Sequence, residues 1–266
     1  MSRHFRTLAA AGFLAAFLMP APGASDLGAQ SPSPQMGDRD FFLGQPTWTV
    51  TLRGGAFVPR AQSQFYDFIF ERFTVDRGDL LSATGGVELG VWLGNHFEAT
   101  GGLDLAAVTR RTEYIDWVEE TDQGFIPIEQ ATRFRYGPIL SFGVKAYPLG
   151  RGQGFGQFAW VPNRVSPFVS AGIGASWWAL EQWGDWVVEE GENEGMIFTD
   201  TFESRGTSRI TSLGAGVEIS VRPRVAITLD TRYLWGDGDL SGDFASFVRP
   251  LDLSGVRATA GLSFRF

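Results

Sequence analysis

From Trp48 to Phe266 the chain alternates apolar and polar residues with a period of two, interrupted at intervals by Gly, Pro and Asn. That period is the signature of strands with two unlike faces. The first candidate strand sets Trp48, Val50, Leu52, Gly54, Ala56 and Val58 against Thr49, Thr51, Arg53, Gly55 and Phe57. Further candidates lie near 82–93, 97–110, 132–147, 168–178, 208–221, 225–235 and 251–266. The last sets Val256, Ala258, Ala260, Leu262, Phe264 and Phe266 against Arg257, Thr259, Gly261, Ser263 and Arg265. Most of the eight reach the ~9–11 residues that cross a bilayer when tilted. An even number of such strands can close without a free edge. Pro138 cannot donate to a ladder and predicts a bulge in the fourth strand.

The links alternate in length. Gly94-Asn95-His96 and Arg222-Pro223-Arg224 read as tight turns. The links at 59–79, 111–131, 179–205 and 236–250 are long. Short turns at one end and long loops at the other are the asymmetry of a membrane barrel, with the termini on the short-turn, periplasmic side. The link at 148–166 is too long for that rule.

Alternation alone does not say which face is inside, because a soluble ligand-binding barrel has the reverse polarity. The polar face carries small residues together with charges of both signs. These are Arg53, Lys145, Arg232, Arg257 and Arg265 with Glu88, Glu98, Asp104, Glu218 and Asp230. Trp48, Phe97, Tyr233, Trp235 and Phe266 sit near the ends of the apolar face, as membrane girdles do. The reading is an all-β, eight-stranded antiparallel up-and-down transmembrane β-barrel over 47–266, its lumen plugged by charge pairs.

Composition adds three constraints. Thirty-four Gly argue against long helices, since each interior Gly costs a helix roughly 1 kcal/mol. The absence of Cys excludes disulfides, thiolate metal sites and thiol nucleophiles. A formal net charge of −8 disfavours nucleic acid as a partner. Ahead of the barrel, Arg3 and Arg6 precede an apolar stretch from Leu8 to Met19 and a small-residue stretch from Ala21 to Ala29. This predicts a signal peptide over 1–29, cleaved after Ala24 or Ala29, and a flexible leader over 30–46.

The segment Ala258-Thr259-Ala260-Gly261-Leu262-Ser263-Phe264-Arg265-Phe266 resembles the closing strand of bacterial outer-membrane β-barrels. Ser166-Pro167-Phe168-Val169-Ser170-Ala171-Gly172-Ile173-Gly174 is similar to a strand opening of the OmpA-, OmpX- and OmpW-like class. The resemblance implies an outer-membrane location and Phe264 and Phe266 as an assembly signal read by the barrel-assembly machinery. It also implies a bilayer and lipopolysaccharide as surroundings. No peptidoglycan-binding domain is expected after the last strand. A structural or surface-interaction role follows, with long external loops facing an extracellular ligand that the sequence does not specify. The alternative is a narrow channel or apolar-solute transporter of the OmpW-like type.

Catalysis is not expected, and neither is a cofactor or metal. Enzymatic barrels that this class resembles use a His base at the outer leaflet, whereas His4 lies in the signal segment and His96 in a periplasmic turn. Asp237 to Asp243 resembles the start of a calcium loop, but Val248 stands where the bidentate Glu belongs, so a plain acidic turn is expected. Trp177, Trp178, Trp183 and Trp186, among acidic residues, are read as interfacial anchors or a loop contact surface.

Overall fold

The computed structural model describes residues 42–266 apart from 123, 156–158 and 190. The expected signal peptide and the leader up to residue 41 lie outside the described residues. The described elements are β1 (Phe42–Leu43), β2 (Trp48–Pro59), α1 (Gln64–Arg72), β3 (Ser82–Leu93), β4 (Phe97–Thr121), β5 (Gly124–Ala146), β6 (Gly152–Phe155) and β7 (Ala159–Pro162). They continue with β8 (Val165–Val187), β9 (Ile197–Arg222), β10 (Val225–Gly238), β11 (Leu251–Asp252) and β12 (Gly255–Arg265).

Eight strands pair in the antiparallel ring β2-β3-β4-β5-β8-β9-β10-β12, and β12 closes onto β2 with Arg265 opposite Thr49. Phe266 completes the seam: its amide donates to Trp48 O at 3.0 Å, and its ring stacks on Trp48 with centroids 4.3 Å apart. The bulge expected at Pro138 is present, as the ladders on both sides of β5 shift register there.

In the lower half of the barrel the apolar face points out. Leu52, Leu89, Leu105, Phe142, Ile173, Leu213 and Leu262 are exposed on the outside. This is the polarity of a membrane barrel and the reverse of a soluble one. Trp48, Phe97 and Phe266 ring the lower edge of this band; Trp177, Tyr233 and Trp235 ring the upper edge. From Val225 to Trp235 is ten residue steps, which at strand rise and barrel tilt spans about 25 Å, the height of an outer-membrane apolar band.

Two long links are not loops. The segments at 111–131 and 179–205 largely continue β4, β5, β8 and β9 past the band. The reason is an inversion of polarity at the level of Trp177 and Trp178. Above it Arg111, Arg135, Glu203 and Arg205 face out, while Tyr114, Ile128, Phe134 and Leu180 face in. The alternation persists with its sign reversed, as suits strands that leave lipid for water. The eighth candidate strand also needs correction. It divides into β11, which pairs with β10, and β12, because Asp252 accepts the Ser254 amide at 3.0 Å and turns the chain between them.

Candidate functional site

The interior has three layers. The floor is built around Arg151, which comes from the link after β5 and was not foreseen in the sequence. That link supplies β6 and β7, which pair with β1 in a three-stranded sheet of order β1-β7-β6. The Arg151 side chain is fully buried, with its guanidinium 3.6 Å from the Trp92 ring centroid and 4.5 Å from that of Tyr147. It pairs with Glu218 at 3.0 Å and Glu98 at 3.4 Å. Arg265 reaches Glu218 at 3.1 Å and donates to Ser220 at 2.9 Å. The Tyr147 hydroxyl lies 2.8 Å from Glu98 and 2.6 Å from Glu218, donating to one at a time.

The middle layer is a lattice of ion pairs. Arg53 grips Asp104 through two parallel bonds of 2.9 and 2.7 Å and also pairs with Glu88. Glu88 additionally takes Lys145 at 2.5 Å and Arg232 at 2.9 Å. Arg232 bridges to Asp230 at 2.6 Å, and Arg257 to Asp104 at 2.6 Å. A Cβ at Gly86 would strike Asp104 and one at Gly90 would strike Glu98, so these glycines make room for the carboxylates. Every lumen charge inferred from the sequence is buried inside the barrel. Across these two layers six described cations, Arg151 included, meet five carboxylates, so the lumen holds its charge close to balance.

The upper layer is aromatic. α1 folds down into the barrel mouth and buries Phe65, Tyr66 and Ile69 against Phe134, Tyr136 and Phe244. Tyr66 and Tyr136 approach hydroxyl to hydroxyl at 3.3 Å, and burial pushes the Tyr66 hydroxyl well above the usual tyrosine range. A cavity of about 10 Å³, lined by Phe57, Tyr136, Ile210, Leu234, Leu253 and Arg257 among others, lies where this layer meets the charges. That is room for about one water.

The tryptophans expected to act together are divided between two faces. Trp178 and Trp186 belong to the aromatic core, Trp177 faces outward, and Trp183 is half-buried under the Arg133 guanidinium at 4.9 Å. Two of the four rings are thus unavailable as a contact surface, because strand alternation continues through 177–187. Large exposed apolar side chains instead occupy the β4–β5 hairpin, at Ile115, Val118, Phe125 and Ile126. Phe264 and Phe266 lie on the outer face at the lower rim. His96 sits at the lower end, within the β3–β4 turn as expected, and its carbonyl accepts from the Tyr147 amide at 2.7 Å. In the acidic turn Asp243 accepts the Glu203 amide at 2.9 Å.

Fold and interior together define a closed eight-stranded barrel with an apolar belt and a filled core. No family model matches the chain, and no curated protein matches it. Among solved structures it is similar to the N-terminal β-barrel domain of Pseudomonas aeruginosa OprF. The identity there is 13%, covering 84% of this chain and 99% of that one, at a TM-score of 0.36. It is also similar to a major outer membrane protein from Thermus thermophilus, at 11% identity, 82% and 99% coverage and a TM-score of 0.43. A third is the outer membrane protein OprG of P. aeruginosa, at 9% identity, 84% and 98% coverage and a TM-score of 0.39.

Proposed function

We propose that this protein is a non-conducting outer-membrane barrel that anchors a rigid external contact surface. Both termini are periplasmic in this reading, and the contact surface is the extension of β4, β5, β8 and β9. The observation that carries it is the filling of the interior, among the described residues, by floor, ion lattice and aromatic plug, with a cavity of only about 10 Å³ where the last two meet. Ten or more residue steps of β8 and β9 extend past Trp177, about 25 Å at barrel tilt, and end in a hairpin region with exposed apolar side chains. Such a surface suits a protein or glycan partner outside the cell. Assembly through Phe264 and Phe266, and a lipopolysaccharide-bearing leaflet around the upper girdle, belong to the same proposal. So does the absence of catalysis, since the mature His lies at the short-turn end. Planar-bilayer recording of the purified protein tests it. Bilayers without steady current are expected; large, steady single-channel currents overturn it.

One observation favours a second reading, transport of an apolar solute: the upper interior is lined by aromatic rings. That route requires α1 to leave the mouth. A disulfide tying α1 to the wall would then abolish uptake of a labelled fatty acid, whereas the anchoring reading expects no uptake with or without it.

A further inference from the structure

The barrel carries a cleft on its outer wall, on the first polar row above the upper girdle. It has a volume of about 390 Å³ and includes Arg135, Trp177, Ala179, Arg205 and Thr207 in its lining. The β5–β8 and β8–β9 ladders put Arg135 opposite Ala179 and Ala179 opposite Arg205, so the three residues form one row. All point outward. With strands ~4.8 Å apart, the two arginine backbones stand about 10 Å apart, with only a methyl group between them. Both side chains are exposed. Arg135 has no ion pair among the described residues. Arg205 has one, with Glu203 at 2.7 Å, but the two are 78% and 51% exposed, and such a pair contributes little.

We propose that this cleft binds a phosphomonoester of a membrane glycolipid in the leaflet on the loop side. The inference rests on the membrane reading above and adds a site to it. Two guanidinium groups facing one gap suit a phosphate, which accepts paired bonds from each. A phosphomonoester carrying about −1.5 to −2 charges competes favourably with the solvated Glu203 carboxylate for Arg205. What selects a lipid over a soluble anion is the wall beneath. Ile173, Leu213 and Phe142 continue down the same face, exposed and apolar, where acyl chains would lie. Trp177, at the cleft's lower lip, is a ring placed at headgroup height.

The test is native mass spectrometry of the detergent-purified full-length mature protein with lipid A, a bis-phosphorylated glycolipid, and phosphatidylethanolamine as the zwitterionic comparison. Lipid A adducts are expected to survive on the wild type and to fall at least tenfold in the Arg135→Ala/Arg205→Ala variant. Ala179→Phe, which fills the gap without changing charge, should lower them likewise. Arg249→Ala, an exposed arginine of the loop after β10, should leave them unchanged. Each protein is also checked for the heat-dependent gel shift of a folded barrel. A normal shift with equal adducts on all variants overturns the lipid site alone. Full displacement by millimolar inorganic phosphate, or equal retention of phosphatidylethanolamine, overturns it too. A wild type without the shift removes the membrane reading and this site with it.

Discussion

Glu88 is the residue on which the lumen turns, because one carboxylate answers three cations, Arg53, Lys145 and Arg232. A buried ion pair is weak evidence of net stability, since desolvation offsets much of the attraction. Removing one partner is different, because the others stay buried without compensation, at a cost of about 3–5 kcal/mol. Glu88→Ala is therefore expected to lower barrel stability by that order, measured by urea unfolding in detergent or lipid. Arg257→Ala removes a smaller share, because Asp104 keeps Arg53. Asp239→Ala, on the exposed acidic turn, should stay within about 0.5 kcal/mol of wild type. Equal midpoints for all three would mean that the lattice is not under this constraint. At the chain end, Phe266 and Arg265 separate two roles. Deleting Phe266, which stacks on Trp48 outside the barrel, is expected to reduce the yield of assembled protein. Arg265→Ser takes one of two arginines from the buried Glu218, which Arg151 still holds, and is expected to lower the unfolding midpoint of what does assemble.

At the scale of elements, α1 behaves as a stopper. Phe65 is fully buried and meets Phe134, Phe244 and Phe247 edge-on. Phe65→Ala should cost about 3–5 kcal/mol locally and expose the link between β2 and β3 to protease. At the helix end Arg72 forks onto Glu189 at 2.8 and 2.9 Å, and that contact holds the guanidinium above its ordinary range. The pair is about one-third exposed, so Glu189→Ala should cost under about 1 kcal/mol. A protease pattern identical in Phe65→Ala and Glu189→Ala would count against the stopper. The strands of the apolar belt were legible in the sequence because burial there is one-sided and period two is unbroken. The extensions were not, because at Trp177–Trp178 the apolar residues change sides, which reads as a loop rich in charge. α1 was hidden for a related reason: Gln64–Arg72 has few helix caps, and its apolar face is explained only by the barrel mouth it fills. Arg151 lay in a link whose excessive length was its sole signal.

For the whole molecule the inversion of polarity sets a boundary, and the boundary makes a depth-dependent claim. β9 crosses it within one strand. Leu213 is exposed on the apolar belt, two residues below Thr211, which pairs with Trp235 of the upper girdle. Thr201, ten residues above Thr211 on the same outward face, is exposed between Thr199 and Glu203 and opposite Trp183. An arginine on the lipid side of a barrel costs about 2–4 kcal/mol near the bilayer midplane and about 0–1 kcal/mol near the interface. Leu213→Arg should thus destabilise the protein by an amount between these limits when it is folded into bilayers, and Thr201→Arg should not. In a soluble barrel both arginines would be solvated, and Leu213→Arg would be as mild as Thr201→Arg. Unfolding of the two variants in vesicles, read by tryptophan fluorescence, separates these cases. Similar midpoints would mean that the belt between Trp48 and Trp235 does not lie in lipid. A large difference would place the upper bilayer boundary between Leu213 and Thr201 on β9 and leave the lengths of β4, β5, β8 and β9 above it standing in water, free to meet a partner.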